Sequence, residues 1–350
     1  MRGVTSPEPM PEPDPIHGGS SHDADRAPVI PLHGPPRVRV GGADDMLALI
    51  PYLLGFRPEQ SLVVMVLRQH RVVLTARMDL PRSMEECEQV ADHFARVAVR
   101  HDAEDCLVAV YSTEWEHAHL VLMTLALSDD LPVVTALHCD DDQYRMLAPD
   151  GTMEGPYGFD PRASAAAAAA VTAGLSVAPD RESLAARIMA GPRELTDQVV
   201  AAAEDVDLPE EQDERRDLMD RTVSRCLPEK DAVAELSDSD CALLGLLCLD
   251  LEVRDVAWLR MERETASRHL ALWIEVSRRV PPVLTAAPVC LAGMASWLDG
   301  DGALAWCCAE RAEEEHPGYG LAGLLGEILA ATLHPGAWHE LAEEMRTLYR

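Results

Sequence analysis

Lysine is almost missing from this 350-residue chain: Lys230 stands alone among thirty basic residues, against sixty acidic ones. The formal charge of −30 repels phosphate backbones and anionic lipid headgroups, so neither nucleic acid nor a membrane surface is expected as a partner. No apolar run approaches the roughly 20 residues that span a bilayer. The first residues show no charged-then-apolar pattern, so no secretion signal is expected and the cytoplasm is the expected location. Nine scattered cysteines, an odd number, suggest reduced thiols rather than a disulfide framework. Catalytic signatures are lacking too. There is no Gly-x-Ser-x-Gly elbow, no phosphate loop and no His-Glu-x-x-His, and Cys307-Cys308 has no two-residue spacer of the kind a redox pair needs.

What is present is a hydrophobic fraction of 47%, enough for a sizeable core, in a chain long enough for about two domains. Residues 1–36 read as a disordered tail, because prolines recur from Pro7 to Pro36 with little apolar surface to offset ordering. An α/β sheet domain is expected over 37–160 and an all-α, helical-hairpin domain over 161–350, an α+β or α/β class overall.

In the first, Met46, Leu47, Ile50, Leu53 and Leu54 recur at helical spacing before Gly55. Ser61 to Leu67 is a continuous β-branched run, expected as a strand buried on both faces. Between Val72 and Leu80 the pattern alternates, with Thr75, Arg77 and Asp79 on one face and apolar residues on the other. Ser83 with Glu86 suggests a capping box for a helix to Arg100. Further strands are expected over 106–111, 132–138 and 143–147, with a helix over 114–127. In the second, Cys241 to Leu249 is apolar all round and is expected to be central. Gly293, Ala305, Ala309, Ala312 and Pro317 fall at tetratricopeptide spacings, although no neighbouring repeat is legible at that period.

Several stretches, among them Ile50 to Leu67 (IPYLLGFRPEQSLVVMVL), Thr75 to Pro81 (TARMDLP) and Pro179 to Ile188 (PDRESLAARI), together resemble the actinobacterial domain of unknown function numbered 4192. The resemblance covers nearly everything after residue 40. It implies a coherent fold and an actinobacterial source, and it implies no activity. Such proteins often carry a cysteine cluster ahead of the alanine-rich helix. The corresponding loop here, Leu147 to Asp160, has none, so a metal or redox role does not carry over.

The candidate sites each have a plainer alternative. Gly318 to Gly323 matches a dinucleotide glycine pattern but follows an acidic helix instead of a strand, which favours an inter-helix turn with small residues for close packing. Asp299 to Gly302 lacks the central ligands of a calcium loop and reads as a turn. Glu114, Glu116, His117 and His119 lie on an expected helix, where they diverge as exposed polar residues. Cys139 to Asp142 reads as a solvated turn, and Arg254-Asp255 as a structural pair at a helix edge. No cofactor and no metal is expected. The remaining cluster is Arg57, Ser61, Arg77 and Asp79, in which arginine forks could hold an anion while Asp79 orients one of them; the alternative is a cross-strand ion pair. Two roles are therefore expected. The first is a non-enzymatic interaction protein whose helical half takes a protein partner. The second is an enzyme or small-molecule binder using that anion site.

Overall fold

The computed structural model describes residues 29–31, 37–39, 41–173, 175–229 and 232–348. The tail expected over 1–36 lies outside these, except at Val29–Pro31, which is a strand. In chain order, β1 (Val29–Pro31), β2 (Arg37–Arg39), α1 (Ala43–Leu54), β3 (Ser61–Arg68), β4 (Arg71–Asp79), α2 (Met84–Arg100), β5 (Asp105–Tyr111), α3 (Trp115–Ala126), β6 (Val133–Asp140), β7 (Gln143–Leu147) and β8 (Met153–Gly158) build the sheet region. The strands form one mixed sheet in the order β2-β1-β4-β3-β5-β6-β7-β8. β3 runs antiparallel to both neighbours, so β4 and β5 point the same way, and β6 continues parallel to β5.

The central strand explains the layering. Every residue from Ser61 to Leu67 is buried, as the unbroken apolar run requires. Leu62, Val64 and Val66 pack with Val90, Phe94, Val121 and Leu125 of α2 and α3. On the opposite face Val63, Met65 and Leu67 meet Met46, Leu47 and Ile50 of α1. α2 starts where the capping signal lies: Ser83 Oγ accepts from Glu86 N at 3.1 Å, and Glu86 Oε2 accepts from Arg82 N at 2.6 Å. Gly55 closes α1 at φ 75°, a left-handed value that glycine adopts without a Cβ penalty.

Beyond the sheet come α4 (Ala165–Thr172), α5 (Arg181–Ala185), α6 (Arg193–Ala203), α7 (Gln212–Cys226), α8 (Asp238–Leu247), α9 (Leu251–Leu259), α10 (Ala266–Arg279), α11 (Ala286–Asp299), α12 (Gly302–Glu315), α13 (Gly320–Ala330) and α14 (Trp338–Leu348). The central helix is α11 and not α8. All residues from Ala286 to Leu298 are buried, whereas Leu243 and Leu246 of α8 are only half-buried and Leu249 beyond it is exposed. The apolar cluster on the α1 face of the sheet runs on without a break into these helices. At Gly293 the backbones come close, and an added Cβ would lie 2.8 Å from Cys308 Cβ of α12. This close approach belongs to one set of packed helices and does not establish a tetratricopeptide array. No helix among the described residues is long and apolar enough to cross a membrane.

Candidate functional site

The alternation in β4 puts Arg77 and Asp79 on the α1 side of the sheet, opposite Val63 and Ser61 of β3. Ser61 is fully buried and donates its hydroxyl proton to Glu59 O at 2.6 Å, so its lone pairs face Arg77. Arg77 Nε donates to Ser61 Oγ at 2.8 Å, and Nη1 sits 2.7 Å from Asp79 Oδ1. The guanidinium also lies 5.9 Å from the centroid of the Phe56 ring, in cation–π range. The Arg77 side chain is 20% exposed and that of Asp79 is 88% exposed. This pair is therefore anchored on its arginine side and open to solvent on its carboxylate side.

Arg57 does not join them. It is exposed on the loop after α1, where its backbone N–H donates to Ala178 O at 3.2 Å, while Ala178 N donates to Gly55 O at 2.7 Å. Those two bonds hold the loop against the segment leading to α5 and seat Phe56 in the core. Arg57 was expected to supply a second anion fork, but the loop uses its backbone instead.

Beside Arg77 and Asp79 opens a cavity of about 640 Å³, lined also by Glu59, Arg82, Glu114 and His117. Its place follows from topology. β4 ends at Asp79 and β5 at Tyr111, both pointing to this edge, and their following loops lead into α2 and α3. Open α/β sheets present ligand crevices at such carboxyl ends. His117 Nε2 lies 2.7 Å from Pro81 O, which fixes the ring at the rim. The side chains of Arg82, Glu59 and Glu114 have no bonding partner among the described residues.

His117 and His119, grouped in the sequence as exposed residues, are half-buried and serve different carbonyls: His119 Nε2 lies 3.0 Å from Gly151 O. Cys139 and Asp140 are the last residues of β6, paired with β7, and Asp141-Asp142 form the hairpin turn, with Asp141 at φ 50°. Cys139 itself is buried and its thiol is pushed up to about 12, first by burial and then by Asp140 and Asp141. Asp301 caps α12 by accepting from Leu304 N at 3.0 Å, and Gly300 ends α11 in the left-handed region. Gly318 to Gly323 is an inter-helix turn entering α13, but Gly318, Gly320 and Gly323 have no neighbour within 4 Å of a would-be Cβ. Close packing is therefore not their reason.

The largest departure is Arg254-Asp255. These residues are 8% and 6% exposed, in the core and not at an edge. Asp255 Oδ1 accepts from Arg254 Nε at 2.9 Å, Arg254 Nη2 at 2.6 Å and Trp258 Nε1 at 2.8 Å, while Arg254 Nη1 donates to Tyr319 OH at 2.8 Å. Adjacent charges on a helix usually point to water, and only the tertiary fold turns these inward.

The fold is thus a mixed sheet with helices on both faces, followed by a helical region, carrying a polar crevice at the strand ends. The chain belongs to the domain of unknown function family DUF4192, whose model matches residues 44–336. No curated protein and no solved structure matches the chain.

Proposed function

We propose that the chain binds a small polar ligand in the strand-end crevice, through an acidic group (carboxylate or phosphate) held by Arg77. Of the two roles expected from the sequence, this one is preferred over a protein-interaction role for the helical half. The observation that carries it is the cavity. It is a half-open crevice of about 640 Å³, with room for a small polar molecule. Ser61 and Asp79 use Nε and Nη1 of Arg77, which leaves Nη2 as the nitrogen without a partner among the described residues. A guanidinium fixed in this way loses less side-chain entropy on binding than a free one. No reaction step is assigned, because the lining holds no nucleophile paired with a base.

The test is thermal melting in inorganic phosphate and in acetate, each against sodium chloride at equal ionic strength. At 100 times its Kd a ligand stabilises by about 2.7 kcal/mol, which a melting curve resolves. At least one of the two anions should raise Tm in the wild type, with the rise reduced in Arg82→Ala and lost in Arg77→Ala. An equal rise in all three proteins would refute the reading.

A further inference from the structure

We infer that His138 is a buried pH-sensitive latch: neutral, it pins the loop between β5 and α3, and on protonation it releases that loop together with the crevice residues Glu114 and His117. The latch acts whatever the crevice binds, so it stands apart from the ligand reading. Ser112, the first residue of the loop, is held three times. Its N–H donates to Cys139 O at 3.1 Å, its carbonyl oxygen lies 2.7 Å from His138 Nε2, and its hydroxyl oxygen accepts from Glu114 N at 3.0 Å. The first two bonds come from the end of β6. The third fixes the residue that starts α3 and lines the crevice.

The ring has no place for a second proton. A carbonyl only accepts, so Nε2 carries the hydrogen and Nδ1 is bare. His138 is fully buried, and Nδ1 has no bonding partner among the described residues. Protonation therefore puts a charge and a new N–H donor where nothing accepts it, a cost relieved by admitting water. The groups around the ring do not offset that cost. From β7, Arg145 stands directly opposite His138 and adds a second cation, while Asp140 of β6 compensates in part. On α3, His117 is turned to Pro81 O and His119 to Gly151 O, Glu114 lines the crevice and Glu116 is exposed. Tyr111 and Cys139 belong to the other face of the sheet. Burial is the largest influence and holds the ring below its ordinary 6.5. The bond to Ser112 O opposes it, Arg145 adds to it, and Asp140 opposes it more weakly. Ladders tie β6 to β5 and β7, so the part that yields is the loop. The open loop, with a histidine near 6.5, binds the proton more readily than the closed one. The closed form is thus favoured above pH 6.5 and loses ground below it, by at most about tenfold per pH unit.

Hydrogen exchange of the full chain at pH 7.5 and 5.0 tests the latch, with protection factors correcting for the intrinsic rate at each pH. Wild-type protection over residues 112–118 should fall by about threefold or more, with a ceiling of about thirtyfold at pH 5.0. The amides of β3 should stay better protected than this loop at pH 5.0, as a local opening requires. His138→Gln keeps an N–H at the Nε2 position and cannot take up a proton. Its loop should match the wild type at pH 7.5 and change by less than about twofold at pH 5.0. Equal protection of residues 112–118 and β3 at pH 5.0 would mean that the opening is global, and the latch fails. It fails also if His138→Gln loses protection as the wild type does. Should that variant fold poorly, the wild type decides alone: constant loop protection between the two pH values overturns the inference.

Discussion

Removing the Asp255 carboxylate tests whether the buried Arg254 network is worth what its geometry implies. In Asp255→Ala the guanidinium keeps one neutral partner, Tyr319 OH at 2.8 Å, and loses both charge-assisted bonds to Asp255 Oδ1. The Trp258 indole N–H loses its acceptor as well. Since Arg254 is 8% exposed, water cannot replace these bonds without opening the packing around α9. Breaking one side of a buried ion pair costs about 3–5 kcal/mol, and a lone indole bond about 1 kcal/mol more. The two are not additive, so about 3–5 kcal/mol is expected for the single change. Replacing both partners, as Arg254→Met with Asp255→Leu, should cost distinctly less than the sum of the single changes, because no charge is then stranded. Urea unfolding followed by circular dichroism at 222 nm measures each variant, and coincident near-ultraviolet curves check that one transition is being read. An Asp255→Ala loss under about 1 kcal/mol, or a double variant equal to the sum of the singles, would show that the network is not a desolvated pair.

Two further outcomes follow from the packing. Gly293→Ala gains about 1 kcal/mol in helix propensity, but its Cβ meets Cys308 Cβ at 2.8 Å and the tip of Leu325. Equilibrium unfolding should therefore show a net loss of about 1–2 kcal/mol, and a stabilised variant would mean α11 and α12 are further apart than described. His269 is buried and its pKa is lowered to about 3, by burial first and then by Arg260 and Arg268. The unfolded chain, with a histidine near 6.5, takes up a proton first. Stability should fall from about pH 6.5 towards pH 3 by up to about 1.4 kcal/mol per pH unit. His269→Phe should remove that slope, so parallel curves for the two proteins between pH 4.5 and 6.5 would contradict the assignment.

Local patterns revealed the sheet domain's frame because each depends on residues near in sequence. The unbroken run of β3, the alternation of β4 and the Ser83 cap all take the form expected. β8 was missed, since Met153–Gly158 contains Gly155, Pro156 and Gly158, which read as a loop. Ser61, Arg77 and Asp79 could be grouped because strand register is a local property. Arg82, Glu59 and Glu114 could not, because they meet only when α1, β4 and β5 deliver their loops to one edge. Glu114 and His117 were noticed for their residue types, within a polar group on an expected helix. A better signal was position: both come just after a strand that runs parallel to β4, at its carboxyl end. Arg254-Asp255 was misplaced at a surface because sequence spacing shows a helix face but not what covers it.

The apolar cluster that passes from the α1 face of the sheet into the helices has an evolutionary side. Lineages that shuffle modules cut where few contacts cross, and here Met46, Leu47 and Ile50 share one cluster with Leu184, Ile188 and the α11 residues. Loss of the helical region would bare that surface, and a transplanted sheet would need a new cover of matching shape. Inheritance should therefore keep the two halves together and let sequence drift at exposed turns such as Asp141-Asp142.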